Sequence, residues 1–135
     1  MKSWLIVAFL ALASVAAAQE PTSKAHILTV SELDQALATP GKVLVIDVRR
    51  PDEVSSIGGF PVYLSIQSDQ LAQSLPWIPK DRSIITVSNH AARAGKAADL
   101  LASKGFKVLG AIGAQTYEQA GGKLVTHIAV PPPKQ

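Results

Sequence analysis

Ile84-Ile85-Thr86-Val87-Ser88-Asn89-His90-Ala91-Ala92-Arg93-Ala94-Gly95-Lys96-Ala97-Ala98-Asp99-Leu100-Leu101 is the stretch on which the fold turns. Residues 84–87 read as a buried strand. A helix follows from about Ala92 to Lys104, with Gly105 as its stop. A strand that ends in a short loop and turns straight into a helix points several backbone N–H groups at one spot. With the helix dipole behind it and Arg93 closing the loop, residues 88–93 form an anion cradle headed by Ser88.

The same alternation extends to both sides. Val43-Leu44-Val45-Ile46 is a continuous apolar run, the pattern of a strand covered on both faces. It ends at Asp47-Val48-Arg49-Arg50, and Pro51-Asp52-Glu53 opens a short helix with proline in its first turn. Further strands are predicted at 27–30, 62–65 and 106–109. Ser31-Glu32-Leu33-Asp34 reads as the capping arrangement of a brief helix to about Ala38. Thr39-Pro40-Gly41-Lys42 is a turn, and a helical piece from Ser68 stops at Pro76 and Pro79. Gly110 to Gly113 reads as a loop, and 114–120 as a last helix. Short strands alternating with helices predict one α/β domain with a mainly parallel central sheet flanked by helices. Ligand sites in such sheets lie beyond the carboxyl ends of the strands, which makes Asp47, Ser88 and the 110–113 loop neighbours.

The first residues read as an export signal. Lys2 supplies the positive charge, Trp4 to Leu12 an apolar stretch, and Ala16-Ala17-Ala18 a cleavage pattern before Gln19. That apolar stretch is short of the roughly 20 residues a membrane span needs. The expected organisation is a signal peptide at 1–18, an extension at 19–26, a domain at 27–126 and a proline-rich tail at 127–135. The protein is accordingly expected in the periplasm or outside the cell, with no membrane attachment once the signal is removed. About 117 residues remain, enough for one modest core. A net charge of +3 from scattered basic residues gives no footprint for nucleic acid. His26, His90 and His127 lack ligand spacing, so no metal and no cofactor is expected. There is no cysteine, which removes every thiol mechanism.

Three segments, in order, resemble the rhodanese-like (sulfurtransferase) domains: Val45-Ile46-Asp47-Val48-Arg49-Arg50-Pro51-Asp52-Glu53, the loop and helix at 88–101, and Gly110-Ala111-Ile112-Gly113-Ala114-Gln115-Thr116-Tyr117, with Tyr117 at the usual tryptophan position. Together the likeness spans about residues 27–125. In active members the loop is a cysteine, four residues, then arginine or lysine, and the cysteine carries sulfane sulfur as a persulfide. The resemblance places Ser88 at the cysteine position and Arg93 at the basic one, with the loop length of a sulfurtransferase. Related phosphatases use a loop one residue longer. A hydroxyl has no accessible anion without an adjacent base, and oxygen cannot hold a persulfide. The segment Ile57-Gly58-Gly59-Phe60-Pro61-Val62 also lacks the family's usual histidine, and alanine at 91 and 92 restricts the backbone where glycine is frequent.

The resemblance therefore implies a domain inactive as a thiol sulfurtransferase, acting as an anion-binding or protein-interaction module. Its candidate loop is Ser88, Asn89, His90, Ala91, Ala92 and Arg93, supported by Asp47 and Arg49. The expected ligand is a small oxyanion (sulfate, thiosulfate or phosphate), and a protein partner is the other candidate. The alternative is an enzyme of altered chemistry, with residual sulfurtransferase-like activity or Ser88-based hydrolysis of oxyanion esters. Within the loop, Ser88 is expected as a hydrogen-bonded terminus, His90 as exposed, and Arg93 as pairing with Asp47 or Glu53. Trp77 and Tyr117 are expected in or near the core.

Overall fold

The computed structural model describes residues 22–127, so the expected signal peptide at 1–18 and the proline tail from 128 onward lie outside the described residues. Among the described residues, α-helices and strands follow in chain order as α1 (Val30–Leu37), β1 (Val43–Asp47), α2 (Pro51–Ile57), β2 (Leu64–Ser65), α3 (Leu71–Ser74), β3 (Ser83–Ser88), α4 (Ala92–Ser103), β4 (Val108–Gly113) and α5 (Ala114–Gln119). The strands form one sheet in the order β2-β1-β3-β4, and every pairing is parallel. The expected α/β class and parallel sheet are observed.

The apolar runs at β1 and β3 form the two central strands because both of their faces are covered. Val45, Ile85 and Val87 face one core, with Leu33 of α1, Phe60 and Tyr117 of α5. Their chain neighbours Ile46 and Ile84 face the other, with Leu71, Ala97, Leu101 and Phe106. This is the period-two alternation of a strand with an apolar residue at every position. α4 lies close on the sheet through its small residues. Ala94 and Ala98 pack on Ala111, and the Thr86 hydroxyl donates to the Ala94 carbonyl at 2.7 Å. On the opposite face the buried Tyr117 hydroxyl donates to Asp34 at 2.7 Å and accepts the N–H groups of Lys123 and Leu124.

Several local expectations are corrected. Residues 27–30 are not a strand: Ile27 makes one parallel bridge to Ala111, and Val30 already opens α1. The capping box is Thr29 with Glu32 rather than Ser31 with Asp34, because Thr29 is the extended residue whose hydroxyl can accept the Glu32 N–H. The strand expected at 62–65 shrinks to Leu64–Ser65. Gly110 to Gly113 is the carboxyl end of β4 and not a loop, since its register with Ile85 to Ser88 continues to the end. Trp77 is 84% exposed. The inward positions of that segment go to Leu71, Leu75 and Ile78, which leaves the tryptophan between them facing solvent. Among the described residues no helix is long and apolar enough to cross a membrane.

Candidate functional site

The carboxyl ends of β1, β3 and β4 meet at one edge of the sheet. Asp47 is in register with Val87, and Ser88 with Gly113, so the sequence-predicted neighbours are neighbours in space. From Ser88 the chain crosses Asn89, His90 and Ala91 and enters α4 at Ala92. Ala91 has φ 71° and ψ −12°, the left-handed region, and is the one non-glycine residue with positive φ among the described residues. The restriction expected from alanine is therefore met by holding Ala91 in that strained state, at about 1–2 kcal/mol. Its carbonyl accepts Gly95 N–H at 2.7 Å, and the Asn89 carbonyl accepts Gln115 N–H at 3.1 Å. Gly113 supplies the floor. A Cβ there would lie 2.6 Å from Asn89 O and 2.8 Å from Ala91 N.

A left-handed residue followed by a helical one turns successive N–H groups to the same side, the arrangement of an anion-binding nest. Among the described residues the backbone N–H groups of His90, Ala91, Ala92 and Arg93 have no acceptor. His90 is exposed, as expected, and with Ala91 and Ala92 it lines a cavity of about 700 Å³ shared with Ile27, Val30 and Thr116. Ser88 is 1% exposed, and its hydroxyl accepts the Ala94 N–H at 3.1 Å. That matches the expected role as a hydrogen-bonded loop terminus. No histidine or carboxylate among the described residues contacts Ser88 Oγ, so no general base is placed on it.

The supporting residues form a connected network. Arg49 is fully buried and makes a two-point contact with Asp47, Nε to Oδ1 at 2.9 Å and Nη2 to Oδ2 at 2.7 Å. It also donates to the Gly58 carbonyl and to Asn89 Oδ1. Asn89 passes the connection on, its amide donating to Glu53 Oε1 at 3.0 Å. Glu53 in turn grips Arg93 through both oxygens, at 2.7 and 2.9 Å. Arg93 thus pairs with Glu53 and not with Asp47, because Asp47 is taken by Arg49. Composition and spacing did not reveal Asn89 as the bridge, since its role depends on two contacts some 40 residues away in sequence.

The Arg93 guanidinium is the main cause that holds the Glu53 carboxyl at about 2, well below its ordinary 4.5 and against the opposing effect of burial. Besides the Asn89 amide, the carboxylate also accepts the Arg50 N–H at 3.0 Å. A carboxyl lowered by folding contributes stability that is complete above its unfolded value and lost as pH falls through the folded one. Stability is therefore expected to decline between about pH 4.5 and 2, and the Glu53→Gln protein to lose this part of the decline. Urea midpoints measured across that range give the comparison. Among the described residues no group of three or more histidine, aspartate or glutamate side chains is placed to hold a metal ion.

No protein-family model matches the chain, and no curated protein sequence matches it. Solved structures do. A rhodanese-related protein from Thermoplasma volcanium is 19% identical with a TM-score of 0.65, over 75% of this chain and 97% of that one. A Rhodopseudomonas palustris protein of unknown function, described as a possible tyrosine phosphatase, is 21% identical with a TM-score of 0.65, over 74% and 84% of the two chains. Thiosulfate sulfurtransferase from Pseudomonas aeruginosa is 21% identical with a TM-score of 0.62, over 76% of this chain and 20% of that enzyme. The fold expected from the three sequence segments is thus the fold observed.

Proposed function

We propose that this domain of rhodanese-like fold is an exported binding module that holds a small oxyanion on its 88–93 loop and transfers no sulfur. The observation that carries the reading is a loop of sulfurtransferase length whose N–H groups at 90–93 lack acceptors among the described residues, headed by a buried serine. Donors left without partners at a helix N-terminus favour an anion. Sulfur transfer through a persulfide requires a thiol, and the chain has no cysteine. Hydrolysis by Ser88 requires a base, and Ser88 Oγ meets an N–H donor in place of one.

The test combines a thiosulfate–cyanide assay with one variant. The wild-type protein is expected to release no thiocyanate above background. Ser88→Cys places a thiol where Ala94 N–H and the start of α4 stabilise its thiolate. That thiolate attacks the outer sulfur of thiosulfate, sulfite leaves with the electron pair of the broken S–S bond, and cyanide removes the sulfur as thiocyanate, restoring the thiolate. Thiocyanate release by Ser88→Cys is expected to exceed the wild-type background by at least about tenfold. Wild-type turnover overturns the reading. An inert but folded Ser88→Cys protein overturns it as well, because the loop then does not stabilise an anion.

A further inference from the structure

The loop ends in an arginine that already has an anion. Arg93 donates to both oxygens of Glu53, and the same oxygens take the Asn89 amide and the Arg50 N–H. The Glu53 side chain is 13% exposed and the Arg93 side chain 37%, so the pair sits at the margin of the site and not free in solvent. The Asp47–Arg49 ion pair at this edge is buried. Arg50, a further cation nearby, contacts Asp52 at 3.1 Å and Glu53 at 3.8 Å. Lys96, one turn further along α4, is itself engaged. Each arginine around the loop is therefore paired with a carboxylate, and what the loop itself offers a ligand is backbone N–H dipoles.

We propose that Glu53 sets the charge class of the ligand: by withholding Arg93 it leaves a cradle without a free guanidinium, which takes a singly charged oxyanion over a doubly charged one. The inference rests on oxyanion binding at the loop. Attraction to fixed dipoles grows in proportion to the charge of the ion. The cost of stripping its water grows with the square, roughly fourfold from a monoanion to a dianion. Dipoles alone consequently favour the monoanion, and an unmatched guanidinium is needed to recover the dianion. Arg93 could supply that cation through a two-point contact, but Glu53 holds the contact instead. Of the two acids expected as partners of Arg93, the geometry gives it Glu53, on α2.

The experiment reads the backbone amide signals of His90 to Arg93 by ¹H–¹⁵N NMR during titration with sodium nitrate or sodium sulfate at constant ionic strength. Wild-type protein is expected to bind nitrate more tightly than sulfate. Glu53→Gln keeps the side-chain shape and frees one positive charge, and sulfate affinity is expected to rise by about tenfold, the value of one charge-assisted contact. Glu53→Gln with Arg93→Gln removes both charges and is expected to return to the wild-type preference. The dispersed spectrum of each variant reports its fold in the same measurement. Anion binding with equal sulfate affinity in wild type and Glu53→Gln overturns the role of Glu53 and leaves the oxyanion reading standing. Absence of saturable shifts in all three proteins overturns both.

Discussion

Arg49→Met is expected to destabilise the protein by about 3–5 kcal/mol, the loss typical when one partner of a buried ion pair is removed. Methionine fills much of the space but leaves Asp47, 1% exposed, without the two-point contact that satisfies its carboxylate. The Gly58 carbonyl and Asn89 Oδ1 lose donors in the same step. Since the net stability of a domain is about 5–15 kcal/mol, the variant is expected to lie near its unfolding threshold. Urea denaturation followed by circular dichroism measures the shift. Replacing both partners, Arg49→Met with Asp47→Leu, is expected to recover much of the loss, because no buried charge then remains unpaired. A single-variant loss below about 1 kcal/mol contradicts the assignment of Arg49 as the anchor of the site.

Gly113→Ala is expected to have the next largest effect, and to act on the loop before it acts on the sheet. The added Cβ would sit 2.6 Å from Asn89 O, 2.7 Å from His90 Cα and 2.8 Å from Ala91 N. All three atoms are backbone, so no side chain can swing aside to make room. Overpacking of this kind costs about 1–3 kcal/mol. The strained left-handed state of Ala91 is the contact most easily released. The variant is expected to fold with a lowered urea midpoint and to lose anion binding at residues 90–93. A variant that binds anions as the wild type does would show that the Ala91 conformation is not needed for the cradle.

Much of this was legible in the sequence. Val43 to Ile46 and Ile84 to Val87 are apolar at nearly every position, and only strands covered on both faces use such runs in an α/β pattern. The helix after Ala91 and its stop at Gly105 followed from local rules as well. The end of β4 was not legible, because glycine is a turn signal in one dimension and a close-approach residue in three. Gly110 is glycine because the His26 carbonyl passes over it, and Gly113 because the 89–91 loop does. Neither neighbour is near in sequence.

The site divides in the same way. Ser88, Arg93, Asp47 and Arg49 could be named from motif and spacing, and all four do lie at one edge of the sheet. Which acid takes which arginine could not, since charges in a sequence carry no direction. Asp47 faces Arg49 within its own turn, which leaves Glu53 to Arg93 and changes what the loop offers a ligand. Complete burial of Arg49 runs against the usual exposure of arginine, and only the converging carboxylate, carbonyl and amide oxygens account for it. Trp77 shows the converse, a large apolar residue left outside while its smaller neighbours Leu75 and Ile78 take the inward positions.

The claim at the centre of this account is that the 88–93 loop is an anion site made of backbone N–H groups. The most direct measurement is a ¹H–¹⁵N NMR titration of the wild-type protein with sodium nitrate at constant ionic strength. Saturable shifts are expected at the amides of His90, Ala91, Ala92 and Arg93, with the amides of the buried residues Leu71 and Leu33 unmoved. Shifts that never saturate, or that spread evenly over the molecule with no focus on those amides, would contradict it.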